Sequence, residues 1–137
     1  MKFKKTYGGR EKYATIKYKK DLVGDCVMRA IAIALNQDYK QTFIELSKLS
    51  VEMLTPPNQR KCYEAYLKSK GWIKHKPLRD TNNKKLRVYD FHKYSGDGIF
   101  LVHTTKHLTC IINDTLWDSW NCQNWCANSF YAPDWWA

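Results

Sequence analysis

The chain has no apolar run near the roughly 20 residues that a membrane-crossing helix needs, and no apolar stretch follows the basic start Met1 to Lys5. Neither a membrane span nor a secretory leader is expected, and a cytoplasmic protein is. Glycine-rich phosphate loops, zinc-finger spacings and RNP-type aromatic motifs are absent. Internal repeats and low-complexity linkers are absent as well. The five cysteines are an odd number. With no leader, that excludes a complete disulfide framework as the expectation and leaves reduced thiols. Basic residues stop at Lys106; beyond it stand only Asp114, Asp118 and Asp134 among the charges.

What is present fits one domain. At 137 residues the chain can bury a core without staples. Its 15% aromatic content argues against disorder, because disordered chains lack aromatics. The 23 Lys and Arg against 13 Asp and Glu give a net charge of +10. Much of it lies in Lys2–Lys20, where Glu11 is the single acid, and again in 60–93. A positive face would gather anions, acidic proteins or nucleic acid, although solubility alone also accounts for such a balance.

Along the chain, residues 1–20 read as a basic arm with one edge strand, its weak alternation running from Tyr13 to Tyr18. Gly24 and Asp25 punctuate, and a helix pattern begins. Val27, Ala30, Ile31, Ala34 and Leu35 recur at the 3.6-residue spacing, and Met28, Ala32 and Ile33 make the other faces apolar. A helix apolar nearly all round is a buried one. Asp38, with Gln41 three residues on, predicts the start of a second, amphipathic helix to about Ser50. Pro56-Pro57 breaks the chain, a third helix follows from about Gln59, and Gly71 caps it. Strands are expected at Trp72–Pro77, Ile99–Val102, His107–Ile112 and Thr115–Trp120, with Asn113-Asp114 as a tight turn. Helices first and an antiparallel sheet afterwards predict an α+β domain with helices on one side of the sheet. Residues 121–137 read as an aromatic tail packing on it.

Cys26 stands at the first turn of the buried helix. Unpaired backbone N–H groups and the positive end of the helix dipole favour thiolate there. A lone cysteine is more commonly a core residue, so its partners decide. A two-residue turn at Asn113-Asp114 sets Ile112 opposite Thr115. It then sets Thr109 opposite Asp118 and His107 opposite Trp120. Residues opposed, or two apart, share a face, so His107, Asp118 and Trp120 come together, with Leu108, Cys110 and Ile112 on the other side. A one-residue slip would separate His107 from Asp118. Thiol, imidazole and carboxylate are what nucleophilic acyl transfer needs: a nucleophile, a proton carrier, and a group that orients it.

The segment Gly24-Asp25-Cys26-Val27-Met28-Arg29-Ala30-Ile31 resembles the nucleophile segment of papain-like cysteine peptidases, especially small bacterial and phage members. Asp118-Ser119-Trp120 resembles the Asn-Ser-Trp segment of that superfamily, with Asp in place of Asn. The resemblance implies a papain-like fold and thiol-dependent hydrolysis of a peptide or isopeptide bond, with no cofactor. It implies Cys26 as nucleophile, His107 as base and acid, Asp118 as orienter and Trp120 as a shield over that pair. The family's glutamine before the cysteine, an oxyanion-hole donor, has no counterpart in Tyr18-Lys19-Lys20-Asp21. Lys20 or a backbone N–H stands in as the candidate donor. Asp25 either opposes thiolate formation or caps the helix.

The expected partner is a protein or peptide substrate, acidic to match the basic surface, and no membrane. The alternative is an idle papain-like scaffold of phage or mobile-element origin that binds a host protein or nucleic acid through its basic surface. The Cys122-x3-Cys126 spacing, with Cys110 upstream and His103, His107 or Cys62 as recruits, lacks the second pair a zinc site wants, and no metal is expected. His75, His92 and His103 read as ordinary. Glu45, Glu52 and Glu64 read as solvated helix faces.

Overall fold

A computed structural model describes residues 1–14 and 24–136. In chain order the elements are β1 (Lys2–Lys5), a 3-10 turn (Arg10–Lys12), α1 (Cys26–Ala34), α2 (Tyr39–Met53), α3 (Arg60–Ser69) and β2 (Trp72–His75). A second 3-10 turn (Val88–Asp90) runs into α4 (Phe91–Ser95), followed by β3 (Ile99–Thr104), β4 (His107–Ile112), β5 (Thr115–Asp118) and β6 (Ser129–Pro133). The strands form one sheet in the order β1-β5-β4-β3-β6-β2. Every pairing is antiparallel except that of β1 with β5. The chain is an α+β domain, and among the described residues no helix is long and apolar enough to cross a membrane.

Each helix starts where local chemistry dictates. The Asp38 carboxylate accepts from the Gln41 N–H at 3.1 Å, satisfying one orphan donor of α2. The Gln41 side chain does not return the bond and reaches Glu45 instead, at 2.9 Å. Gly71, at φ +80°, takes the left-handed conformation that ends α3. Asn113, at φ +52°, does the same for the β4–β5 turn.

Both faces of the sheet are covered, which corrects the one-sided packing expected from the order of the elements. Val27, Ile31, Leu46, Tyr63 and Leu67 from α1–α3 pack on Leu101, Leu108, Cys110 and Tyr131. On the other face Val88 and Phe91 meet Phe100, Val102, Ile111, Leu116 and Phe130. Alternate residues of one strand thus enter different cores. Burial on both sides is why these strands read as unbroken apolar runs.

Two terminal readings change. The alternation at 13–18 falls mostly on residues outside the described set, and the edge strand that is present is Lys2–Lys5, paired with β5. The stretch 121–137 is not a tail on the sheet: its residues Ser129–Pro133 form β6, inserted between β3 and β2. Phe130 and Tyr131 face opposite cores and are both buried, so this segment completes the sheet.

Candidate active site

The β4–β5 hairpin keeps the expected register, with Ile112 opposite Thr115, Ile111 opposite Leu116 and Cys110 opposite Trp117. Pairing ends there and β5 stops at Asp118, so the expected strand to Trp120 is shorter than read. The facing survives beyond the ladder. His107 Nε2 lies 2.6 Å from Asp118 Oδ2, and both residues are buried, at 8% and 5% exposure. The Ser119 N–H donates to the other carboxylate oxygen at 2.6 Å. The rings of His107 and Trp120 are 4.9 Å apart, and Trp120 packs on Trp125 at 5.4 Å. Trp120 therefore covers one side of the imidazole while remaining 39% exposed itself.

Cys26 arrives from the opposite face of the sheet. It is the first residue of α1, and His107 is the first residue of β4. Helix and strand begin at the same end of the domain, so thiol and imidazole meet at that end. Burial raises the Cys26 thiol. The hydrogen bond with His107, a backbone bond from Leu108 and the imidazolium charge outweigh it and hold the thiol below its ordinary value. Burial alone would lower His107; hydrogen bonds to Asp118, Cys122 and Cys26 raise it far above the usual imidazole range. Burial likewise opposes charge on Asp118, and the His107 bond and charge hold its carboxyl below the ordinary carboxylate value. With Nε2 engaged by Asp118, Nδ1 is the ring nitrogen left for the thiol. The shifts of Cys26 and His107 run in the directions that favour a thiolate beside an imidazolium.

Asp25 behaves otherwise than expected. It occupies the N-cap position of α1 but makes no side-chain cap bond. Its carboxylate, 3% exposed, is ion-paired with Arg29 and accepts from the Tyr39 hydroxyl at 2.9 Å. Its charge is neutralised within the core instead of opposing the thiolate. Lys20 lies outside the described residues. The Cys26 N–H, as the first of α1, has no acceptor inside the helix and is a donor available to an oxyanion.

Several residues have neighbours that spacing alone did not assign. Cys122 is fully buried with Sγ 3.7 Å from Asp118 Oδ2. Among the described residues, His107, Asp118 and Cys122 are the group whose donor atoms lie close enough to hold a metal ion, within 4.8 Å of one another. Their mutual hydrogen bonds already account for that closeness. All five cysteines are free. His103 lines the cleft beside Cys26 rather than standing apart. It lies four residues before His107 across the β3–β4 turn, a signal the sequence did contain. Glu45 and Glu64 are not simple solvated faces: Glu45 accepts from Tyr66 at 2.9 Å, and Glu64 from Tyr131 at 2.6 Å.

No family model, no curated protein and no solved structure matches this chain. The site rests on its own geometry.

Proposed function

We propose that the chain is a thiol-dependent hydrolase of papain-like architecture, cleaving a peptide or isopeptide bond. The observation that carries this reading is the buried His107–Asp118 pair, with Nε2 2.6 Å from the carboxylate, on the wall of the cleft that Cys26 also lines. The Cys26 thiolate attacks the scissile carbonyl carbon and forms a C–S bond, its electrons moving onto the oxygen. Collapse of that intermediate breaks the C–N bond, and His107 gives its Nδ1 proton to the leaving amine. Water then enters, His107 takes its proton, and hydroxide attacks the thioester. The C–S bond breaks, the acid leaves and the thiolate returns. Asp118 orients the ring through Nε2 and stabilises the imidazolium throughout. Trp120 keeps water off one side of that bond. No cofactor enters this sequence.

Competitive alkylation with limiting iodoacetamide, across pH 4–9 and mapped by peptide, tests the reading in wild type and His107→Ala. Cys26 reacting first, well below the ordinary thiol value of about 8.5, and losing that advantage in His107→Ala is the expected result. A Cys26 no faster than Cys126 in both proteins would sink it.

A second reading, a binding scaffold, is favoured by one feature. Phe43, Ile44, Val51 and Leu54 leave an exposed apolar strip on and just beyond α2, and such strips mark contact surfaces. It predicts a partner complex indifferent to Cys26→Ala.

A further inference from the structure

A cleft of about 490 Å³ opens beside Cys26 and His107. Among the described residues its other walls include Gln59 and Arg60 at the start of α3, Tyr63 within it, and His103 and Lys106 on the β3–β4 hairpin. Arg60 and Lys106 are basic, and among the described residues no wall residue is a carboxylate. Arg60 Nε lies 3.9 Å from Glu64, but that carboxylate is closer to Lys74 at 3.0 Å and to the Tyr131 hydroxyl at 2.6 Å. The Arg60 side chain stays 53% exposed. His103 Nδ1 is buried without a hydrogen-bond partner among the described residues. Burial first, then the charges of Arg60 and Lys74, hold His103 below the ordinary imidazole value against the opposing charge of Glu64.

We propose that this cleft is a carboxylate-binding subsite: the substrate carries a carboxylate next to the scissile bond, and Arg60 and Lys106 receive it. The inference rests on the thiol-hydrolase reading and names its substrate class. Guanidinium and ammonium groups flanking a half-enclosed space favour a carboxylate over a neutral amide of the same size. The carboxylate is either an Asp or Glu side chain or the free carboxyl end of a chain; the chemistry at Arg60 and Lys106 is shared.

The test compares two alkylating agents of equal size, anionic iodoacetate and neutral iodoacetamide, at Cys26. Cys126 in the same tube is the reference thiol. The iodoacetate-to-iodoacetamide rate ratio is expected to exceed that of Cys126 by roughly tenfold, and to fall by about as much in Arg60→Gln/Lys106→Gln and at high salt. The ratio requires no turnover. A slow, His107-independent Cys26 removes the hydrolase reading, whereas a fast Cys26 with an unchanged ratio in the double variant removes only the subsite. Two peptides separate the sources, one with Glu beside the bond and an amidated end, the other neutral with a free carboxyl end. Faster cleavage of either than of a neutral amidated peptide, lost in the double variant, supports the subsite and identifies the source. Equal cleavage of all three overturns it.

Discussion

Two buried carboxylates sit close to Cys26, and they do opposite things. Asp25 is next to it in sequence, 3% exposed, and paired with Arg29 and the Tyr39 hydroxyl. Asp118 is 92 positions on, 5% exposed, and paired with His107. Burial is equal, so the cation decides. A guanidinium does not release its proton, and Asp25 with Arg29 is a fixed strut inside the helical layer. An imidazole does, and Asp118 with His107 is a pair that can pass a proton to a neighbour. Sequence adjacency to the thiol thus says little about function; the identity of the partner says most.

The sharpest way to break this contrast is at the movable pair. Cys26→Ala is expected to abolish acyl-enzyme formation, read by mass spectrometry with a peptide thioester. His107→Ala should lower the Cys26 alkylation rate near neutral pH by about 10²–10⁴-fold with the fold intact by circular dichroism. Asp118→Asn keeps an acceptor for Nε2 but removes the charge, so about 10²-fold or more should be lost. The alkaline limit of peptide turnover, where His107 loses the proton it gives to the leaving amine, should move to lower pH, since the bond and charge of Asp118 raise His107 against burial.

Asp25→Asn tests the fixed pair. It leaves Arg29 charged and nearly buried, and should cost about 3–5 kcal/mol in urea denaturation. It should shift the pH profile of Cys26 alkylation far less than Asp118→Asn does. If Asp25→Asn moves that profile as much, the two carboxylates are not separate and the comparison fails.

The pH dependence of stability distinguishes them again. His107 is raised in the folded chain, so its contribution is fully present below about pH 6.5 and is lost as pH rises through the raised value. Asp118 is held low, so its contribution is present above about pH 3.9 and is lost as pH falls through the lowered value. These are two ends of one ion pair, and together they define a plateau. The urea midpoint followed from pH 2 upward should show the acid shoulder in wild type and lose it in Asp118→Asn. The smallest effect is expected at Trp120→Ala. It opens one side of the His107–Asp118 bond to water and should reduce reactivity only several-fold, with a narrower pH range of the thiolate.

Much of this corner was legible in the residues. The two-residue turn at Asn113-Asp114 set the register that aligns His107 with Asp118, and the observed pairing of Ile112 with Thr115 agrees. Asp38 and Gly71 marked helix ends that local hydrogen bonding and a left-handed φ produce. Asp25 was misjudged because a helix-start aspartate ordinarily caps, and here Arg29 one turn on competes for it. The insertion of β6 was not legible either. Ser129–Pro133 shows no alternation because Phe130 and Tyr131 enter different cores, and only sheet assembly decides which strands flank it.

The sequence by itself determined the buried helix with a thiol at its start, the hairpin and its facing, and the excess of positive charge. These depend on spacing, turn length and composition, which are local. Tertiary structure alone decided that α1 and β4 begin at one end of the domain, so that Cys26 meets His107 from the far face of the sheet. It also brought Arg60, His103 and Lys106 around one cleft. Contacts between elements distant in the chain have no period to reveal them, because they are fixed only when both faces of the sheet are buried at once.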